Sequence, residues 1–269
     1  MKILALLIVV GAMPLVAFEP TYACGADTDC KIGERTYRIQ LPNGAEGPIG
    51  AIIFNHGYRG TAAGLMRNKS LSKAITDMGL AFVAPKSAFA DWDIPNSPSQ
   101  RLGQSEYSYF ERLKADLMKR HGIDGDRIMV TGFSAGGMMT WELACRRGDL
   151  FAAYAPISGT FWAPVPPSCD TLPQPILHVH GTSDRVVPLL GRVIGPTKQG
   201  EVPRALELAA PAQRFGAWRD VSGTDGLTCQ QRSMSLQNFV QFCTHPGGHS
   251  LNSAWVVRAW KVFERAGLL

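Results

Sequence analysis

Apolar residues follow two alternating patterns along the chain. Short, nearly continuous apolar runs such as Ile49–Asn55 are typical of strands buried on both faces of a parallel sheet. Longer segments such as Glu106–His121 carry apolar residues at helical spacing, and Gly122 follows as a stop. The first pattern predicts strands at Thr36–Leu41, Ile49–Asn55, Leu80–Pro85, Arg127–Thr131, Phe151–Ile157, Pro175–His180 and Leu236–Cys243. The second predicts helices at Leu65–Met78, Glu106–His121, Ala135–Arg147, Pro211–Arg219 and Ser253–Ala266.

Strands that alternate with helices indicate an α/β fold, with a mostly parallel central sheet and helices on both faces. The segment Asp91–Gln100 is rich in proline, serine and asparagine and is predicted to be a long loop. Leu189–Ala209 fits neither pattern. The sequence has no repeat and no break in composition after residue 24, so we expect residues 24–269 to form a single domain.

The first 23 residues have the composition of an export signal. Lys2 precedes an apolar run at residues 3–18, and Ala23 supplies the small residue at a cleavage site. This pattern predicts that residues 1–23 are a signal peptide and that the mature protein is secreted or periplasmic. The run is short and Pro14 interrupts it, which disfavours a stable membrane span.

An even number of cysteines follows the predicted signal and suggests three disulfides. These six residues are Cys24, Cys30, Cys145, Cys169, Cys229 and Cys243. About 15 pairings are possible, and the sequence alone does not select one. We expect the pairs that join neighbours along the chain, namely Cys24–Cys30, Cys145–Cys169 and Cys229–Cys243. The alternatives are a lipid anchor on Cys24, which Thr21 disfavours, and metal ligation, for which the cysteine spacing is unsuitable.

The formal net charge of +5 changes the picture little. Basic residues are scattered and form only short clusters such as Arg146-Arg147. This distribution favours weak attraction to acidic surfaces and gives no indication of nucleic-acid binding. It does not predict an oligomeric state.

The segment Gly132-Phe133-Ser134-Ala135-Gly136 lies where a predicted strand meets a predicted helix. The glycines two residues before and after Ser134 remove side chains that would collide across such a sharp turn. The turn would expose the serine oxygen and direct the amide of Ala135 toward a developing negative charge. We therefore interpret Ser134 as a nucleophile; the alternative is a plain glycine turn with a solvent-facing serine.

A serine nucleophile needs a base for its proton and a carboxylate that orients the base. In this kind of fold the acid and then the histidine follow the nucleophile along the chain. Asp184 follows the predicted strand Pro175–His180 at the edge of the sheet where active residues lie, and is the preferred acid. His249, preceded by two glycines after the last predicted strand, is the preferred base, with His245 in reserve. The other downstream aspartates occupy less suitable positions: Asp149, Asp170, Asp220 and Asp225.

Two further histidines, His178 and His180, share one face of a predicted strand, and we expect them to be packed and hydrogen-bonded in the core. A zinc site built from them with His245 and His249 is the rival interpretation. It would leave the serine turn unexplained, so we expect no metal and no cofactor.

A second oxyanion donor is expected in the loop after the strand Ile49–Asn55. This loop has the sequence His56-Gly57-Tyr58-Arg59-Gly60, whose glycines let the backbone turn inward. We expect the amide of Tyr58 to be the donor and His56 to fix the loop. One donor of this kind contributes about 10²–10³ in turnover.

Five stretches of the sequence together resemble the secreted single-domain esterases grouped with polyhydroxybutyrate depolymerases and feruloyl esterases. They are NHGYRG, IDGDRIMVTGFSAGGMM, LACRRGDLFAAYAPISG, PILHVHGTSDRVVP and PGGHS. The resemblance spans most of the mature chain and implies the α/β-hydrolase fold. It also implies Ser134 as nucleophile, Asp184 as acid and His249 as base, and it places the family's cysteines at Cys145 and Cys169.

Two departures weaken the transfer of substrate identity from this family. Ser250-Leu251-Asn252 follows His249 where the family often has an aromatic-proline pair, and SEYSYF around Phe110 replaces an acidic pair. Three aromatic residues in loops after predicted strands are candidates for the substrate pocket, with burial as the alternative. They are Trp92, Phe161 and Trp162.

The expected function is hydrolysis of an ester through an acyl-enzyme. The favoured substrates are hydroxyalkanoate oligoesters or polyester, and the alternative is feruloyl or acetyl esters on plant cell-wall polysaccharide. A short-chain acyl esterase or a peptidase on the same scaffold is a further alternative. A non-catalytic binding protein with this fold is the contrasting class, but its sequence would lack a member of the triad.

Overall fold

The computed structural model describes residues 24–101, 105–171 and 174–269. The predicted signal peptide, residues 1–23, therefore lies outside the described residues. The described strands are β1 Cys30–Ile32, β2 Arg35–Gln40, β3 Ile49–Asn55, β4 Ala81–Pro85, β5 Ile123–Phe133, β6 Ala153–Ile157, β7 Ile176–Gly181, β8 Val193–Ile194, β9 Thr197–Lys198, β10 Arg219–Val221, β11 Thr228–Ser233 and β12 Phe239–His245. The helices are α1 Ala62–Met66, α2 Lys69–Thr76, α3 Ser105–His121, α4 Ala135–Arg146, α5 Val202–Ala209, α6 Ala212–Phe215 and α7 Ser253–Arg265, with a 3₁₀ turn at Gly148–Leu150.

Ten strands form one sheet in the order β1-β2-β4-β3-β5-β6-β7-β12-β11-β10, and β8 pairs with β9 separately. The strands from β4 to β12 in this order are parallel to their neighbours, whereas the outer strands pair antiparallel. Parallel strands carry their following loops at one edge of the sheet. The loops after β3, β5, β7 and β12 therefore share that edge, and the α/β fold expected from the sequence is confirmed.

Helices cover both faces of the sheet and bury two separate apolar clusters. On one face α3, α4 and α5 contribute Leu113, Met138 and Leu206. On the other face α1, α2 and α7 contribute Met66, Leu71 and Val256. The central strand β3 serves both clusters, since Ile53 belongs to the first and Ile52 to the second. This two-sided burial explains the continuous apolar run that predicted the strand.

Two of the predicted helices differ from the structure. The predicted helix Leu65–Met78 is two helices, because the Asn68 side chain accepts the amide of Leu71 at 3.1 Å and starts a new helix. The predicted helix Pro211–Arg219 ends at Phe215, where Gly216 adopts a positive φ of 76°.

The last predicted strand also has different bounds. Its first residues form a turn, in which Met234 N donates to Asn238 O at 2.9 Å, and the strand itself is Phe239–His245. The partner strands β10 and β11 were not predicted, because their residues are largely polar and exposed at the edge of the sheet.

The three disulfides expected from the sequence are present, joining Cys24–Cys30, Cys145–Cys169 and Cys229–Cys243. The last of these links directly paired positions of β11 and β12. Among the described residues, no helix is both long and apolar enough to cross a membrane.

Candidate active site

Ser134 lies between the end of β5 and the start of α4, in a backbone conformation that few residues other than glycine adopt. Its φ is 60° and its ψ is −121°. Its amide donates to Ile157 O of β6 at 3.0 Å, and its carbonyl accepts the first helical hydrogen bond from Met138 N at 2.9 Å. A strained serine at a strand-to-helix turn matches the geometry of a nucleophile elbow.

The glycines around Ser134 are required by close backbone packing. A Cβ atom on Gly136 would collide with the carbonyl oxygens of Asn55 and His56, and one on Gly132 would collide with the backbone of Gly136. The sequence predicts this crowding within the turn. The structure shows that it also involves the end of β3, which brings the loop after β3 against the serine.

That loop contains Tyr58, whose amide the sequence predicts as the second donor. A Cβ atom on Gly57 would lie 3.6 Å from Ser134 Cβ, so the loop and the serine are in direct contact. Gly60 N donates to Gly57 O at 2.8 Å and closes a turn in which Arg59 has a φ of 55°. Tyr58, within this turn, and Ala135, the first residue of α4, both carry amides outside any helical hydrogen bond. Two backbone N–H groups next to a serine can together stabilise an oxyanion.

His56 holds this loop in place through both ring nitrogens. Its Nε2 accepts the amide of Ser87 at 3.3 Å, so Nδ1 carries the proton and donates to Gly57 O at 2.9 Å. The indole of Trp92 stacks on the imidazole at 4.7 Å and donates to His56 O at 2.7 Å. Burial lowers the pKa of His56, which favours this neutral form. His56 is thus a structural residue of the loop.

Asp184 and His249 form a hydrogen-bonded pair across the loops after β7 and β12. His249 Nδ1 lies 2.7 Å from Asp184 Oδ2. The other oxygen of this carboxylate accepts the amides of Val186 and Val187, each at 2.8 Å. The Asp184 side chain is fully buried, and that of His249 is 14% exposed. Such a pair fixes an imidazole with its second nitrogen available for proton transfer.

Backbone contacts join the two loops that carry this pair. Thr182 N donates to His245 O at 2.9 Å, and Ser183 N donates to Gly247 O at 3.1 Å. A Cβ atom on Gly181 would collide with the carbonyl oxygens of Gly247 and Gly248. The glycines after β12 therefore allow the close approach that brings His249 to the acid.

The imidazole of His249 also packs against the nucleophile turn. Its ring centroid lies 4.5 Å from that of Phe133, the residue before Ser134. Within the described chain the Ser134 hydroxyl makes no hydrogen bond within 3.5 Å. Serine–histidine hydrogen bonds are often long when no substrate is bound.

The other downstream histidines are buried away from this turn. His178 Nε2 lies 3.0 Å from His180 Nδ1, and His180 Nε2 lies 2.7 Å from Val187 O. Burial lowers the pKa of both rings, as expected for packed core histidines. His245 packs on Trp255 at 4.5 Å and accepts the amide of Gly247 at 3.1 Å. Its backbone positions the loop, whereas its ring does not contact the carboxylate.

Known proteins resemble this chain in both sequence and fold. The model of the Phospholipase/Carboxylesterase family matches residues 89–194, which include Ser134 and Asp184. The putative esterase NocK of Nocardia uniformis subsp. tsuyamanensis is 27% identical over 247 residues, or 80% of this chain and 70% of that protein. The probable feruloyl esterase C of Aspergillus niger is 27% identical over 246 residues, or 86% of this chain and 81% of that protein. The chain is a carboxylic-ester hydrolase.

A solved structure places the esterase in its fold class. The acetyl xylan esterase from Aspergillus awamori superposes with a TM-score of 0.58, covering 85% of this chain and 94% of its own. At 16% identity this likeness shows the fold alone, which is the α/β-hydrolase fold.

The esterase has a cavity of about 530 Å³ at the nucleophile, a size suited to a small organic ligand. Ser134 and Ala135 form part of its wall, together with Tyr58 and Trp162. The predicted pocket residue Trp162 therefore lines the same cavity as the serine.

Trp92 and Phe161 do not line this cavity, which corrects their prediction as pocket residues. Trp92 is 0% exposed, because its indole N–H reaches His56 O behind the loop. Phe161 is 1% exposed and packs on Trp141 at 5.5 Å, where both line a different cavity of the esterase. The loops were assigned to the correct edge, but an aromatic side chain in a loop can point into the core or out of it.

The charged residues that line this cavity were not predicted. Arg59, Arg101 and Arg192 all line it, together with Asp91. They come from three separate loops, and the sequence contains no local signal that would bring them together. The three arginines are far apart in the sequence, so no local pattern predicts that they line one cavity.

Proposed function

We propose that the esterase works through Ser134, His249 and Asp184 and an acyl-enzyme intermediate. The observation that carries this proposal is the 2.7 Å pair of His249 and Asp184 beside the strained turn of Ser134. All three residues follow strands of the parallel centre of the sheet, at its carboxyl edge. Their order along the chain is that of α/β-hydrolases.

In the first half-reaction, His249 Nε2 accepts the proton of Ser134 Oγ as the oxygen attacks the ester carbonyl carbon. The amides of Ala135 and Tyr58 donate to the resulting oxyanion. Asp184 stabilises the imidazolium and keeps its ring oriented. The carbon–oxygen bond to the alcohol breaks, and His249 returns its proton to the departing alkoxide.

In the second half-reaction, water takes the place of the alcohol. His249 accepts a proton from water as the water oxygen attacks the acyl-enzyme carbonyl. The bond to Ser134 Oγ breaks and the serine regains its proton from His249. The products are one alcohol and one carboxylic acid, and neither a cofactor nor a metal takes part.

The substrate class has two candidates, each supported by a different observation. Hydroxyalkanoate oligoesters or polyester fit the sequence resemblance and a cavity that combines apolar walls with cationic residues. Feruloyl or acetyl esters on plant polysaccharide are supported by the names of relatives such as the probable feruloyl esterase C of Aspergillus niger. In either case we propose export after cleavage near Ala23, which suits an extracellular polymer as the source of substrate.

Turnover of p-nitrophenyl butyrate by wild type and Ser134→Ala tests the catalytic proposal. We expect the variant to lose about 10⁶ in kcat, because the remaining groups cannot form an acyl-enzyme. Ser70→Ala is the matched control, since Ser70 is an exposed residue on α2. Equal rates for wild type and Ser134→Ala would refute the proposed nucleophile. Absence of turnover by wild type would favour the non-catalytic class.

A substrate panel separates the two candidate classes. Hydrolysis of 3-hydroxybutyrate oligomers, methyl ferulate and acetylated xylan should be measured side by side at equal enzyme concentration. A kcat/KM highest for the 3-hydroxybutyrate oligomers supports the first class. A value highest for methyl ferulate or acetylated xylan assigns the second.

A further inference from the structure

Three arginines line the cavity that contains Ser134. Arg59, Arg101 and Arg192 are exposed, and all three belong to its lining. They come from the loop after β3, the loop before α3 and the segment before β8. Separate segments of the chain thus place positive charge in the lining of one cavity.

None of these arginines is neutralised by a carboxylate of the described chain. Arg59 lies over the ring of Tyr58 at 5.1 Å, and Arg192 Nε donates to Val186 O at 2.6 Å. The backbone amide of Arg101 donates to Asp93 Oδ1 at 2.6 Å, whereas its guanidinium has no hydrogen bond or ion pair in the described chain. The hydrogen bond from Nε to Val186 O holds the guanidinium of Arg192 and leaves its terminal nitrogens free to donate.

The acid in the same lining offsets this charge only in part. Asp91 Oδ2 accepts the hydroxyl of Ser99 at 3.1 Å, whereas its Oδ1 is buried without a hydrogen-bond partner in the described residues. Burial raises the pKa of Asp91, which disfavours its charged form. Three cationic side chains and one half-buried acid give the cavity lining a net positive charge.

We propose that these arginines form a subsite for a carboxylate of the substrate, so that the esterase prefers oligoesters of hydroxy acids that end in a free carboxylate. The proposal rests on the acyl-transfer function proposed above and specifies its substrate class. Guanidinium groups recognise carboxylates through paired N–H donors, and a charged rim steers anions toward the nucleophile. Neutral feruloyl and acetyl esters offer no such partner.

Apolar residues beside the arginines suit the rest of such a substrate. Tyr58, Phe89 and Val186 line the same cavity and are 60%, 47% and 45% exposed. An oligoester of short hydroxy acids has an aliphatic backbone between its carbonyl groups and a charge only at its end. The cavity therefore presents apolar surface for the chain and cationic groups for its terminus.

The test compares two substrates that share one scissile ester. They are the linear dimer of 3-hydroxybutyric acid and the same dimer with a terminal primary amide. We expect wild type to have a kcat/KM about tenfold higher for the acid at low salt, and a smaller preference in 0.5 M NaCl, because salt screens exposed charges. The double variant Arg101→Gln/Arg192→Gln should lower the acid-to-amide ratio severalfold, because only Arg59 then remains of the three arginines.

Two further variants test whether the preference depends on positive charge within the cavity lining. Arg219→Gln removes an equal charge from the edge strand β10, outside the cavity lining, and should keep the wild-type ratio. Arg101→Lys/Arg192→Lys retains the charge and should keep most of the preference, even if the glutamine variant folds poorly.

The kcat/KM values of wild type for the two dimers test the proposal without any variant. Equal kcat/KM values for the acid and the amide would overturn the carboxylate subsite. The subsite would also be overturned if the enzyme cleaved p-nitrophenyl butyrate but neither dimer. Failure on p-nitrophenyl butyrate as well overturns the proposed function itself. A wild-type preference that persists in full in Arg101→Gln/Arg192→Gln would overturn the assignment to Arg101 and Arg192.

Discussion

Asp184 contacts His249 through one carboxylate oxygen and the following turn through the other. Oδ2 lies 2.7 Å from His249 Nδ1, while Oδ1 accepts the amides of Val186 and Val187. The carboxylate therefore cannot rotate without losing hydrogen bonds at both ends. Because its two oxygens have different roles, an isosteric substitution of Asp184 tests whether it is the catalytic acid.

Asp184→Asn should lower kcat on p-nitrophenyl butyrate by about 10⁴ with little change in KM. Asparagine retains an oxygen for the amides of Val186 and Val187 but presents an N–H₂ group to His249, which favours the wrong tautomer. Thermal unfolding of the variant, measured in parallel, checks that the turn is intact. A kcat within tenfold of wild type would place the catalytic acid elsewhere.

The sequence predicts the parts of the site that depend on local geometry. The strand-to-helix turn of Ser134 and the loop of His249 both carry glycines at positions where a Cβ atom would clash or where backbones meet. Such positions leave a local signal. The central strands were predictable for a similar reason, because burial on both faces leaves a continuous apolar run.

Other features depend on residues that meet only in three dimensions. Arg59, Arg101 and Arg192 come from different loops and have no common pattern in the sequence. The side-chain direction of Trp92 follows from a hydrogen bond to His56 O, which the sequence does not specify. The edge strands β10 and β11 have mostly polar residues and therefore lack the periodicity that marks a strand.

His180 is expected to act as a positioning residue for the acid. Its Nε2 lies 2.7 Å from Val187 O and 3.6 Å from Asp184 Oδ2, so it supports the turn that holds the carboxylate. His180→Leu removes the donor and should lower kcat about tenfold or more, because small misplacements of catalytic groups are costly. His180→Gln keeps an N–H₂ donor and should retain more of kcat. Equal kcat values for the two variants would contradict this role.

The Cys229–Cys243 disulfide should stabilise the hairpin that leads to His249. It joins residues separated by 14 positions, for which chain-entropy arguments give about 3 kcal/mol. We expect the double variant Cys229→Ala/Cys243→Ala to lose about that free energy of unfolding in urea. The Cys24–Cys30 disulfide closes a loop of only 6 positions, so Cys24→Ala/Cys30→Ala should lose less, about 2 kcal/mol. A larger loss for the shorter loop would show that chain entropy does not set the order.

Glu142 is expected to make the stability of the esterase depend on pH. This residue of α4 is 3% exposed, and burial raises its pKa to about 7. Its Oε2 accepts the hydroxyl of Tyr107 at 3.1 Å; Arg146 lowers the pKa and Asp170 raises it, both less than burial does. Because the folded state binds this proton more tightly than the unfolded state, the stabilisation is complete below about pH 4.5 and is lost as the pH rises through about 7.

Glu142→Gln should therefore stabilise the protein much more at pH 8 than at pH 5. Glutamine keeps an oxygen for the Tyr107 hydroxyl but has no charge to bury, so we expect a gain of about 2–3 kcal/mol at pH 8, or about 5–10 °C in Tm. Thermal unfolding of wild type and variant at both pH values measures the difference. Glu46→Gln, at an exposed loop position, is the control and should shift neither Tm appreciably. If Glu142→Gln changed Tm equally at pH 5 and pH 8, the buried carboxyl would not be the source of the pH dependence, since only its ionised form carries the cost of burial.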